Sequence, residues 1–257
     1  MRFFIITKRH LTVALSLILG FAVIAVGAFS YQSFAASNKK VPIYCVDDKG
    51  AKKVALSFDA AWGNEDTEQL INILGKYKIK ATFFVVGSWV DKYPESVKQL
   101  SNAGHSIQNH SNSHPHMPQL SAAQMTDELI ACNEKISAIT GKKPILFRAP
   151  YGDYSNLMLD TVTNCGMYTI QWDVDSRDWK SEYTTDMIVR GVCDNVKSGS
   201  IVLFHNAAVN TPEALPIIIE KLIAEGYQFE LIENLIYKDN YTIDHAGKQC
   251  KNKDGAN

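Results

Sequence analysis

The chain has 257 residues, 46% of them hydrophobic and 21% charged, with a formal net charge of -1. That balance excludes a disordered chain and offers no broad basic field to gather a polyanion, so no nucleic-acid partner is expected. The length suits one large single-core α/β unit, because barrels of this size form one domain.

Arg2, Lys8, Arg9 and His10 precede an uncharged apolar stretch over 11–29. About 19 residues span roughly 28 Å as a helix, close to the thickness of a bilayer's hydrocarbon, and a transmembrane helix is expected there. Positive charge precedes it and the next charge is Lys39, which keeps the N-terminus inside and exports everything after it. The expected localisation is membrane-anchored and extracytoplasmic. Small residues over 33–37 leave secretion after signal cleavage as the alternative.

From Val54 onward, short β-prone apolar runs alternate with longer amphipathic ones, the pattern of successive βα units. Strands are expected near 54–58, 81–86, 106–108, 145–147, 168–172, 200–204 and 228–231. Helices are expected over 65–77, 95–103, 122–139, 156–164, 185–196 and 213–224, several closed by glycine. About seven strands fit a distorted α/β barrel better than an open sheet. The domain reading is therefore 1–40 for basic stub, anchor and linker, 41–238 for the main domain, and 239–257 for a polar tail expected to be a loose end.

The cysteines at 45, 132, 165, 193 and 250 have no metal-cluster spacing. Cys132, Cys165 and Cys193 read as small buried hydrophobes, and Cys45 and Cys250 are a weak candidate pair.

Polar residues gather just after the apolar runs, where a barrel's catalytic loops emerge. Asp59 ends the first strand; alone, such an Asp is more often a turn or cap residue. His110 and His114, four apart in His110-Ser111-Asn112-Ser113-His114-Pro115, are expected on one side of a helical turn, facing one cation as neutral nitrogen donors. His105, His116 and His245 read as loop histidines that aid solubility. Arg148-Ala149-Pro150-Tyr151-Gly152 is a tight loop in which Arg148 and the Tyr151 N–H are fixed, although a plain turn with a surface Arg explains it as well. Trp172 to Trp179 brings aromatics and carboxylates together, suited to sugar stacking or simply to a solvated loop. His205 follows the sixth strand.

These strings, in this order, resemble the NodB-homology polysaccharide deacetylases, carbohydrate esterase family 4, over residues 50–235. His110–Pro115, Arg148–Gly152, Asp175–Trp179 and Leu203–His205 match the family's motifs closely. Phe58 to Gly63 has the F-D-x-x-W-G form of the PdaB-like sporulation subgroup. The resemblance implies a distorted (β/α)7-8 barrel behind the membrane helix, and hydrolytic N-deacetylation of an N-acetylated cell-wall or spore glycan, peptidoglycan or chitin-like. It implies a divalent metal on His110 and His114: zinc, with cobalt, manganese and nickel as alternatives. Asp59 takes the general-base role with Arg148 as its partner, and the Tyr151 N–H stabilises the oxyanion. His205 takes the general-acid role, steadied by Asp178 or else Asp175. Trp62, Tyr151 and Trp179 are the expected substrate contacts. The departure is Ala60, where the family carries the Asp that completes the metal triad. That leaves weak binding completed by water, a substitute carboxylate from Glu65 or Asp66, or a glycan-binding envelope protein without turnover. Removal of O-acetyl groups from xylan is a further alternative.

Overall fold

The computed structural model describes residues 39–252 and, N-terminal to them, only Phe21. Val41–Asn257 is one compact unit and Met1–Lys40 another, and every strand of the sheet belongs to the former. The membrane helix expected over 11–29 lies, but for Phe21, outside the described residues, among which no helix is long and apolar enough to cross a membrane.

The sheet is built on β2 (Lys53–Ala60), with β3 (Thr82–Val85), β4 (Ser106–Asn109), β5 (Leu146–Phe147) and β6 (Tyr168–Thr169) following on one side in parallel. On the other side β8 (Ser200–His205) pairs in parallel from Val54↔Ser200 to Asp59↔His205. The sheet curls. Beyond β6, the chain reaches β7 (Val174–Asp175), which pairs with β8, while Ile43 bridges Ile170 and β1 (Cys45–Val46) meets β8. The seam between the outer staves is thereby spanned by two short pieces rather than a long strand. β9 (Gln228–Phe229) joins the start of β2.

Alternation along β2 sorts its side chains. Val54, Leu56, Phe58 and Ala60 pack outward in the cluster under the helices, whereas Ala55 belongs to the inner cluster with Phe84, Leu146, Ile170 and Ile201. Ser57 and Asp59 share the inward face. The outer layer comprises α1 (Thr67–Lys76), α2 (Gly87–Lys92), α3 (Pro94–Asn102), α4 (Ala122–Thr140), α5 (Asn156–Asn164), α6 (Thr185–Cys193), α7 (Thr211–Ala224) and the short α8 (Ile232–Leu235). Local signals set their limits: Ser121 and Gln124 form a capping box before α4, and Gly141 stops it with φ 69°.

Each of the seven expected strands and six expected helices has its counterpart, with ends shifted by a few residues. The expected loose end is corrected over 241–251. There β10 (Tyr241–Ile243) and β11 (Lys248–Lys251) form a hairpin whose second strand runs parallel to β1. A buried Gln249 side chain exchanges hydrogen bonds with the Tyr237 backbone at 2.9 and 2.7 Å, while Tyr237 and Ile243 pack against the inner apolar cluster, so polar and apolar contacts together fasten this edge. Cys45 and Cys250 are both free thiols, Cys45 lying opposite Lys248 in the register. Cys132 is buried in the outer core, and Cys165 and Cys193 pack against core clusters.

Candidate active site

Asp59 is inside the barrel mouth, not in a turn, and its Oδ1 accepts a 2.8 Å hydrogen bond from Arg148 Nη1. Arg148 is fully buried; Nη2 donates to Ser57 Oγ and the Gln171 carbonyl, and the guanidinium lies 4.2 Å from the centre of the Phe84 ring. The surface-Arg alternative is therefore excluded. Burial alone would raise the Asp59 pKa, but the Arg148 charge, helped by the nearby His110 and His205 rings, holds the carboxyl below its ordinary range.

His110 and His114 come together, although not on a helical turn. Residues 110–114 form a loop with left-handed backbone at Ser111 (φ 67°) and His114 (φ 62°), and the rings meet edge to face at 5.1 Å. The loop is held on both sides: Glu128 of α4 accepts from the N–H groups of Asn112 and Ser113, while Gly87 and Ser88 at the start of α2 donate to the Ser111 and Asn112 carbonyls. Glycine at 87 allows this close approach, since a Cβ would lie 3.0 Å from the Asn112 Cα and 3.1 Å from its carbonyl oxygen.

His110 Nδ1 is 2.8 Å from the Arg148 carbonyl, which can only accept, so the proton sits on Nδ1. Burial lowers the His110 pKa and outweighs the Asp59 charge, leaving the ring neutral. Nε2 then turns a lone pair toward Asp59 Oδ2 at 3.6 Å, an approach of two acceptors rather than an ion pair. Burial, with the adjacent His110 ring acting in the same direction, takes the His114 pKa down to about 4. Two neutral imidazoles and two facing acceptors fit a divalent ion held by two histidines, with the Nδ1 contact orienting the first of them.

They do not make a three-ligand site. The Ala60 methyl packs in the outer apolar cluster, and no group of three or more His, Cys, Asp or Glu able to hold a metal occurs among the described residues. Neither suggested substitute joins the histidines: the Glu65 carboxylate is exposed and accepts from Asn64 N–H, and Asp66 Oδ2 accepts from Ala207 N–H.

Across the mouth, His205 Nδ1 lies 2.8 Å from Asp178 Oδ1, and Asp178 Oδ2 accepts from His205 N–H and Thr211 Oγ1. Asp178, not Asp175, is thus the steadying carboxylate; Asp175 instead accepts from Arg177 N–H. Burial works to lower the His205 pKa, but the hydrogen bond and charge of Asp178, followed by Asp59 and Asp175, raise it. The Trp62 ring stacks on His205 at 5.9 Å. Trp62, Tyr151 and Trp179 all remain substantially exposed, at 48%, 59% and 55%, leaving aromatic surface open to a ligand.

Several participants carried no sequence signal. His116 is not a bland loop residue: it pairs with Asp153 at 2.6 Å and stacks on Tyr151 at 4.0 Å, beside the strained backbone of Tyr151 (φ 60°). His105 is buried and accepts from Ala81 N–H, with its pKa lowered to about 4 by burial. His245 is exposed, as expected. Asn206 ties the loop after β8 to the first-motif loop through the Gly63 carbonyl at 2.7 Å. The motif spacing around Trp62 and His205 gives their neighbourhood, but only the fold brings Asn206 and Asp66 to it.

A family model described as polysaccharide deacetylase matches residues 47–170. The peptidoglycan-N-acetylmuramic acid deacetylase PdaA of Bacillus subtilis is 32% identical over 81% of this chain and 76% of its own length. The uncharacterized protein YlxY of the same organism is 33% identical over 71% of this chain, which spans 57% of that relative. Among solved structures, BA3943 of Bacillus anthracis, described as a CE4 family pseudoenzyme, superposes with a TM-score of 0.73 at 35% identity, covering 76% of this chain and 68% of its own. A mutant of BA3943 with restored enzymatic activity matches with the same TM-score at 36% identity, covering 76% of this chain and 71% of its own.

Proposed function

Since the chain belongs to the polysaccharide deacetylase family, we propose that it hydrolyses the acetamide of an N-acetylated envelope glycan, peptidoglycan or a chitin-like polymer, and releases acetate. The strongest support is one arrangement: Asp59 paired with Arg148 and His205 paired with Asp178, both at the same end of adjacent parallel strands, with oppositely directed pKa shifts.

In this reaction Asp59, kept ionised by Arg148, takes a proton from the attacking water. His205, kept protonated by Asp178, gives a proton to the leaving nitrogen as the C–N bond breaks. The Tyr151 N–H serves the developing oxyanion. Trp62, Tyr151 and Trp179 bind sugar faces. A divalent ion on His110 and His114, zinc or else cobalt, manganese or nickel, would supply Lewis acidity toward the carbonyl when bound. The form of Phe58 to Gly63 supports a place in the PdaB-like sporulation subgroup, and the apolar run over 11–29 supports a membrane-anchored, extracytoplasmic protein.

A second reading is a glycan-binding protein that does not turn over. It is favoured by the methyl group of Ala60 in the outer core, and by the likeness to a relative described as a pseudoenzyme. Acetate release by the full chain separates the two. Release from peptidoglycan or chitin oligomers with added zinc, abolished by chelator and by Asp59→Asn, supports hydrolysis. Glycan binding without release under any divalent ion supports the second reading, and release from acetylated xylan alone would redirect the activity to esters.

A further inference from the structure

Beside the barrel mouth, between β7 and α6, lies a cleft of about 480 Å³ lined by Asp173, Asp175, Arg177, Tyr183, Arg190 and Asn195. The acids in it are already engaged. Asp173 accepts from Ser200 Oγ and Ile201 N–H, both at 2.8 Å, and Asp175 Oδ1 accepts from Arg177 N–H at 2.9 Å. The guanidiniums are not: among the described residues neither Arg177 nor Arg190 forms an ion pair. Arg177 Nη1 donates to Tyr183 Oη at 3.0 Å, and Arg190 Nε reaches only the Asp186 carbonyl of its own helix at 3.4 Å. Tyr183, accepting from Arg177, keeps its own O–H to donate.

We propose that this cleft binds a carboxylate carried by the glycan substrate, which makes the acidic sugar or peptide-bearing unit of peptidoglycan the preferred ligand over a neutral chitin chain. The inference rests on the glycan reading above. Guanidinium forks match a carboxylate with paired N–H donors. A phosphate is disfavoured because Asp173 and Asp175 balance the formal charge of the two arginines, and a dianion meets more repulsion there than a monoanion. The volume accommodates a sugar or dipeptide. Position also fits: Arg177 directly precedes Asp178, which holds His205, so a polymer with one acetamide at His205 can present a neighbouring acidic group to the cleft.

The carboxylate has two sources, the lactyl ether of a muramic acid unit and the stem peptide. The test is equilibrium titration of the full chain with N-acetylmuramic acid, N-acetylmuramyl dipeptide and chitotriose, repeated for Arg177→Gln and Arg190→Gln. Both side chains are exposed, so both variants are expected to keep the wild-type Tm. The acidic ligands should bind roughly tenfold more weakly to each variant, with chitotriose unchanged. A loss confined to N-acetylmuramic acid assigns the lactyl carboxylate, which the dipeptide lacks because it is amide-bonded there; a loss confined to the dipeptide assigns the peptide, and equal losses show that the cleft takes either carboxylate. Unchanged affinity for both acidic ligands in both variants, or no binding of them to the wild type, overturns the proposal. Failure is distinguishable from failure of the glycan reading: chitotriose binding without acidic preference removes only the cleft. Arginine-dependent binding of acidic ligands without acetate release leaves the cleft and removes hydrolysis.

Discussion

On one side of the barrel mouth, Asp59, Arg148, His205 and Asp178 answer one another charge for charge through hydrogen bonds of 2.8 Å. On the other, His110 and His114 meet edge to face with no carboxylate of their own, because the side chain at 60 lies in the apolar layer under the helices. In the proposed reaction the proton-handling half is complete, while the half that would hold a cation has two imidazoles and no third ligand among the described residues. What the difference teaches is that the two halves are separable: the pairs that set protonation are fixed by burial and by each other, and do not depend on the group missing from the histidine side.

The largest expected effect falls on the complete half. His205→Asn should reduce acetate release by about 10²–10⁴-fold, the range for losing a general acid, while zinc binding is unchanged. Steady-state release beside calorimetric zinc titration checks both, and a parallel loss of zinc would break the separation. Arg148→Met leaves the buried Asp59 carboxylate without its partner and should destabilise the fold by about 3–5 kcal/mol, read by chemical denaturation.

A smaller effect is expected at Asp178→Asn. In the wild type the His205 pKa is raised above 6.5. That interaction therefore contributes stability fully at pH below the unfolded value, and loses it as pH rises through the folded one. Without Asp178 burial prevails, the His205 pKa falls, and the alkaline limb of acetate release should move to lower pH. The smallest expected effect on stability is Ala60→Asp without metal, about 1–3 kcal/mol, because a carboxyl placed in the outer cluster takes up a proton and costs an unpaired polar group rather than a buried charge. Recovery of that stability on adding zinc would show that the new side chain turns to the histidines, joining the two halves.

Much of this was legible in sequence because the long staves and amphipathic helices carry strong periodic signals, and the motif residues follow the strands directly. β1, β7 and the hairpin over 241–251 were not, since two-residue strands and polar edges held by Gln249 have no apolar pattern to read. α2 was missed for its brevity, yet it anchors the histidine loop. Within the site, the four-residue spacing of His110 and His114 pointed to two rings that do meet, but a loop with two left-handed residues, not a helix, brings them together. His116, Asp66 and Asn206 act through partners 37 to 144 positions away, which no local motif encodes.

The most direct measurement is equilibrium titration of zinc into the full chain and into His110→Ala and His114→Ala. A single ion per wild-type chain, lost in either variant, is the expected result. Zinc binding unaffected by both substitutions, or absent at every concentration, would contradict the assignment of this histidine pair as the cation-holding half of the site.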